Sequence, residues 1–157
     1  MRPLDDVDCA IVRQLQEQGD LPNVALARRI GLSPAATLRR VKQLRQDGVV
    51  TGVHAVVDHE QVGLRVEAFV LVVLREHTPE GDARFARELA RLPGVLRADS
   101  VTGADDVLLH VAAADTRELQ EVLRTLPRIG ASRVTTLLRL ESVKPPSPVP
   151  VRPTPRR

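Results

Sequence analysis

At 157 residues the chain has room for one large domain or two small ones, and a 43% hydrophobic content suits a folded protein rather than a disordered one. It has no Trp or Tyr and only two Phe, so the aromatic platforms that stack RNA or single-stranded bases are missing. The net charge is a mild +3, the one cysteine excludes an internal disulfide, and neither a membrane-length span nor a secretory leader is evident. A reducing, cytoplasmic setting follows as the expectation.

The first helix is expected from about Asp8 to Gln18. Cys9, Val12 and Leu15, with Ile11 beside them, follow the helical period, Asp5 or Asp8 can cap the start, and Gly19 ends it. A second helix spans about Asn23 to Ile30 and stops at Gly31. Ser33 as N-cap and Pro34 as first helical residue open a third, which runs to about Asp47 with Leu38, Val41 and Leu44 as its inward stripe. From Val49 to Val57 the residues turn β-branched, which suggests an extended connector strand, and 58–65 reads as a linker.

The next stretch alternates in a definite order. A strand is expected over 67–75, a helix over 80–92, strands over 95–101 and 107–113, a helix from a cap at Asp115 or Thr116 to Leu126, and a last strand over 134–143. The order βαββαβ is ferredoxin-like, an antiparallel sheet with two helices on one face, so the fold class is α+β. The apolar runs 68–74 and 107–111 are hydrophobic on both alternating faces, so the uncovered face needs a partner and a dimer is expected. Six of the twelve prolines fall in the last segment, with Arg152, Arg156 and Arg157, and such a segment should be an extended, mobile tail. The expected organisation is therefore a helical domain over 1–50, a connector over 51–65, a sheet domain over 66–144 and a disordered tail over 145–157.

Residues 21–46 hold six cations and no acid: Arg28, Arg29, Arg39, Arg40, Lys42 and Arg45. Solvated helices usually mix signs. Two short helices with a one-signed field suit a grooved polyanion, and double-stranded DNA is the first candidate. If the third helix reads bases, its N-terminal residues reach deepest, so Ser33, Ala35, Ala36 and Arg39 are the base-reading candidates. Arg39 or Arg40 has the fork that grips guanine O6 and N7. Arg28, Arg29, Lys42 and Arg45 are assigned to phosphates, and Gln43, on one of the remaining faces, is a further DNA-binding candidate.

The residues also resemble a known family. Leu4-Asp5-Asp6-Val7-Asp8 followed by Ile11, Leu26 to Ser33, Arg39-Arg40-Val41 and Gly48-Val49-Val50 are similar to the helix-turn-helix of the Lrp/AsnC regulators. Leu92-Pro93-Gly94-Val95 and Val101 to Asp106 resemble that family's effector-domain signature. The matches cover about residues 4 to 144. Val107 departs from the aromatic that family usually carries there.

The resemblance implies a cytoplasmic transcription factor of the bacterial nucleoid, with a winged helix-turn-helix domain and a ferredoxin-like domain that senses a free amino acid. It implies no cofactor beyond that effector, and a dimer able to grow to tetramers or octamers. On its residues alone the turn Thr102, Gly103, Ala104, Asp105, Asp106 is an ordinary hairpin; the resemblance makes it an effector-binding position, with Thr135 and Thr136 as weaker candidates. The four histidines are scattered without metal-ligand spacing, and no nucleophile elbow or phosphate loop is found, so neither a metal site nor an enzyme is expected. A nucleoid-associated architectural protein of low sequence specificity is the alternative reading.

Overall fold

A computed structural model describes residues 2–154. The chain divides into two compact units, Met1–Val56 with Lys144–Arg157, and Val57–Val143.

The first unit is three helices, α1 (Asp6–Glu17), α2 (Asn23–Ile30) and α3 (Pro34–Gln46). Asp5 caps α1 by accepting from the Asp8 amide at 2.8 Å, and Asp8 reaches back to the Asp5 amide at 3.4 Å. This reciprocal arrangement satisfies two amide donors that the helix itself leaves over. Gly31 ends α2 with φ 71°, a left-handed conformation that L side chains adopt at a cost, and the turn is therefore tight. Ile11, Val12, Leu26 and Leu44 form the core, with Leu4, Val7, Leu15, Ile30, Val41 and Val50 packed around them.

The inward stripe of α3 differs from the expected one. Leu38 is 58% exposed, while Thr37 is fully buried. The helix turns Thr37, Val41 and Leu44 inward because the Thr37 hydroxyl satisfies itself by donating to the Ser33 carbonyl at 3.0 Å. The β-branched run after α3 makes no strand, and the expected wing is not formed among the described residues. The amides of Val49 and Val50 instead close the helix end by donating to the Leu44 carbonyl, and Val53, Val56 and Val57 are exposed with no strand to pair with.

The expected mobile tail is docked in its last described part. Gln16 exchanges two hydrogen bonds with the Val149 backbone, Arg13 donates to the Val151 carbonyl, and Leu4 pairs with Thr154, while Val151 packs on the helical core. An extended proline-rich strand leaves carbonyls free, and side chains of α1 take them up.

The second unit contains β1 (Val66–Leu74), α4 (Pro79–Leu89), β2 (Val95–Ser100), β3 (Val107–Ala113), α5 (Thr116–Ile129) and β4 (Ala131–Leu138). All pairings are antiparallel in the order β2-β3-β1-β4, the ferredoxin-like arrangement expected. Ala68, Val70 and Val72 of β1 and Leu109, Val111 and Ala113 of β3 pack with Phe85, Leu89, Leu119 and Leu126 of the helices. The last strand starts and stops earlier than expected. It begins directly at Ala131 because α5 continues through Pro127 to Ile129 and ends at Gly130, φ 133°. No described helix is long and apolar enough to cross a membrane.

Candidate functional site

In α3 the residues that share the outward face are Ala35, Leu38, Arg39, Lys42 and Arg45, spaced three and four apart. Three ties fix this helix. Ser33 accepts from the Ala36 amide at 3.2 Å, Thr37 donates back to Ser33, and Asn23 of α2 donates to the Pro34 carbonyl at 2.8 Å. Arg28, Arg39, Lys42 and Arg45 are exposed and make no ion pair among the described residues. Ser33 and Ala35 are exposed and Ala36 half-buried at the N-terminal end, where small side chains allow close approach to a groove.

Three of the expected DNA contacts, Arg40, Gln43 and Arg29, have partners within the unit. Arg40 Nη1 donates to Asp5 Oδ2 at 2.7 Å and to Asp8 Oδ1 at 2.8 Å, and Arg2 donates to the other oxygen of Asp8 at 2.6 Å. The Asp8 side chain is fully buried. A buried carboxylate must be paired, and Arg40 supplies a counter-ion to Asp8 and Asp5 through Nη1. Hydrogen bonds to Asp5 and Asp8 push the Arg40 guanidinium further up. At Asp5, burial raises the carboxyl, but the Asp8 amide and Arg40 outweigh it and the net is below the ordinary value. Gln43 donates to Asp47 at 2.9 Å, and Arg29 bridges Gln14 and Gln18, so both are partly committed within the unit.

The expected effector residues fall into three places. Thr102 to Asp106 form the turn between β2 and β3, with Gly103 at φ 135° and the Val101 amide donating to the Asp106 carbonyl. Asp106 Oδ2 accepts from the Leu74 amide at 2.8 Å and staples the end of β1 to the start of β3, while Asp105 receives Arg133 at 3.2 Å. Thr135 pairs opposite Leu71 and Thr136 opposite Val70, so they point to opposite faces of the sheet and do not serve one site together. An open cleft of about 620 Å³ lies between α4, β2 and the start of β3, lined by Leu74, His77, Phe85, Leu89, Asp106 and Val107 among others. Of the five turn residues only Asp106 lines it.

The helix-free face of the sheet presents Phe69, Leu71, Leu108 and Leu137, with Phe69 39% and Leu137 50% exposed. Beside them one carboxylate collects three partners: Glu67 receives His110 Nε2 at 2.8 Å, His59 Nδ1 lies 3.2 Å away, and Arg139 donates to it. The His110 ring stacks on Phe69, with centroids 5.1 Å apart. Burial pushes the Glu67 carboxyl up, but the hydrogen bonds from His110 and His59 and the field of Arg139 outweigh it and hold it below the ordinary value. Two of the four histidines are thereby placed around a carboxylate.

Leu38 is the residue that sequence reasoning misplaced. Its signal lay in Ser33 and Thr37: a threonine four residues after the N-cap can bury its hydroxyl against the cap carbonyl, which rotates Leu38 outward.

A model of the AsnC-type helix-turn-helix domain matches residues 4–45, and a model of the Lrp/AsnC ligand binding domain matches residues 67–149. The chain is 31% identical to the DNA-binding transcriptional activator DecR of Escherichia coli over 94% of its own length and 99% of that protein. It is 34% identical to the leucine-responsive regulatory protein of Rhizobium meliloti, covering 90% of this chain and 92% of the relative. A solved transcriptional regulator of Neisseria meningitidis, in complex with L-Met, superposes with a TM-score of 0.86 at 34% identity, over 94% and 96% of the two chains.

Proposed function

The chain belongs to the Lrp/AsnC family of transcriptional regulators, and we propose that it reads operator DNA as a dimer or larger homo-oligomer whose binding is tuned by an amino acid. It is a helix-turn-helix, DNA-binding regulator of transcription and not an enzyme. The observation that carries the finer reading is the outward face of α3, where Arg39, Lys42 and Arg45 stand without acidic partners among the described residues. Arg39 is the base-reading cation, beside the small Ser33, Ala35 and Ala36. Lys42, Arg45 and Arg28 take phosphates, which fix register without carrying sequence. Arg29 swings to a phosphate at the loss of two hydrogen bonds to neutral glutamine amides.

Pairing of two copies covers the apolar helix-free face, and two copies of α3 then meet half-sites about one helical turn apart. The effector is a small amino acid at the cleft beside the β2–β3 turn. Apolar walls from Phe85, Leu89 and Val107 suit an aliphatic or thioether side chain, and the Neisseria neighbour was solved with L-Met. Asp106 Oδ1, the oxygen not bonded to Leu74, receives the α-ammonium, and the backbone of Thr102, Gly103 and Ala104 lies nearby in the turn. The protein acts in the cytoplasm, at the nucleoid.

Selection of bound fragments from genomic DNA, followed by footprinting with and without each amino acid, tests this reading. Discrete protected sites that change with an apolar amino acid support it. Continuous coverage insensitive to every amino acid would return the architectural alternative, which the match to named transcriptional regulators does not favour.

A further inference from the structure

One apolar side chain stands among the cations of the α3 outward face. Leu38 is 58% exposed, four residues into the helix, with Arg39 next to it and Lys42 one turn further on. Leaving a leucine largely in water forgoes most of what its burial would contribute, and Leu38 does not join the apolar core of the helical unit. Whatever does cover it must be apolar at one point and anionic around that point. A major groove that contains thymine has this combination: the C5 methyl projects into the groove between two rows of phosphates. A protein partner would instead have to bring acids to Arg39 and Lys42.

We propose that Leu38 is a specificity-determining residue that packs on a thymine C5 methyl in each half-site. The proposal rests on the DNA-reading role of α3 given above. Its geometry is favourable because the start of α3 is held by the Ser33 cap, the Thr37 hydroxyl and Asn23, so the backbone that presents Leu38 on the outward face is fixed. Ala35, one turn earlier on the same face, is small enough to let the helix sit deep. Leu38 and Arg39 then read adjacent positions by different chemistry, a methyl by contact and a purine edge by hydrogen bonds.

The test uses the full chain and duplexes selected by it from a random library. Each thymine of the selected consensus is replaced singly by uracil, which removes the methyl and nothing else. At one thymine per half-site, uracil should weaken binding of the unaltered protein roughly fourfold, the worth of one buried methyl-sized group. Leu38→Ala, altered in both protomers, should bind the thymine duplex as weakly as the unaltered protein binds a duplex with uracil at that position in both half-sites, about sixteenfold, and should not distinguish the two. Leu38→Met should keep the preference. Both variants should melt with the unaltered protein, since the side chain is exposed. Uracil changes that affect the protein and Leu38→Ala alike would overturn the proposal. So would a smaller oligomer of DNA-free Leu38→Ala by light scattering, which would place the residue in a subunit contact. If no consensus is selected at all, the DNA-reading role of α3 itself fails; a clear consensus without methyl dependence refutes Leu38 alone.

Discussion

Arg40→Ala, set beside Arg39→Ala, separates a guanidinium that holds the fold from one proposed to read DNA. In the native chain Arg40 lies 2.7 Å from Asp5 and 2.8 Å from Asp8, and the Asp8 side chain is fully buried. Removing one partner of a buried pair costs about 3–5 kcal/mol, because a desolvated charge is left behind. Here Arg2 remains on the other oxygen of Asp8 at 2.6 Å, although its side chain is 41% exposed and therefore screened. The expected loss is thus below that range, about 2–3 kcal/mol. A helical unit of this size has only about 3–8 kcal/mol in total. Its melting transition should fall by roughly 10–20 °C at about 4–8 °C per kcal/mol. Arg39→Ala, one residue earlier and exposed, should move the transition by less than about 0.5 kcal/mol, yet weaken binding to a selected duplex by the roughly 1–3 kcal/mol of a bidentate base contact. Thermal denaturation of both variants, paired with duplex titrations well below the lower melting point, checks the contrast. Adding Asp8→Asn to Arg40→Ala should recover part of the loss, since no charge is then stranded. If Arg40→Ala melts like the unaltered protein and loses duplex affinity as Arg39→Ala does, the ion pair is incidental and Arg40 is a reader after all.

Three other outcomes follow from the same geometry. Lys42→Ala should weaken selected and random duplexes alike and make the salt dependence of binding shallower by about one unit of slope, read from titrations over a range of salt. Truncation after Lys144 removes the packing of Val151 and the hydrogen bonds to Leu4, Arg13 and Gln16. The helical unit should then lose about 1–2 kcal/mol and melt several degrees lower, and an unchanged transition would show that the docked segment contributes nothing. Glu67 is held below its ordinary value of 4.5, so the unfolded chain takes up its proton first as the pH drops. Its stabilising contribution is therefore complete above that value and lost as the pH falls through the lower folded one; Glu67→Gln should flatten this acid limb in a series of melts from pH 7 to pH 3.

Local signals made most of the fold legible. Gly31 marks the end of α2 and Ser33-Pro34 the start of α3 by requirements that involve only neighbouring residues, and the structure places both boundaries there. The apolar runs of β1 and β3 are central strands because only a covered sheet face tolerates Ala68, Val70 and Val72 beside Leu109 and Val111. What the residues hid were partners far along the chain. Asp8 lies 32 residues before Arg40, so nothing in the cationic window betrayed that one of its six cations was already neutralised. The tail read as mobile because prolines forgo helix and ladder, yet its free carbonyls are what α1 recruits across more than a hundred residues. Val49 to Val57 failed as a strand for the converse reason: β-branched residues favour an extended backbone but cannot supply the second strand. At the proposed effector turn the sequence marked the loop between β2 and β3 without revealing that Asp105 is engaged by Arg133 and that Thr135 and Thr136 diverge.

The two surfaces of the proposed function depend on each other energetically. One α3 offers a single unengaged arginine fork near its N-terminal end, Arg39, and one apolar contact, Leu38. At roughly 1–3 kcal/mol for a base contact, a single copy would discriminate its site from random sequence by only a few orders of magnitude. A genome presents on the order of a million or more competing sites, so one copy is not selective. Joining two copies through the helix-free sheet face squares that discrimination, and it makes operator occupancy depend on protomer pairing. An effector at the β2–β3 turn then has no need to touch the helix-turn-helix. Any amino acid that binds one subunit arrangement more tightly than another shifts operator affinity by the same differential free energy. Substitutions that weaken sheet pairing, such as Phe69→Glu on the apolar face, should therefore abolish discrete footprints while leaving weak, salt-sensitive binding to any duplex. Discrete footprints retained by a Phe69→Glu monomer would show that one copy suffices and that the sheet does not govern reading.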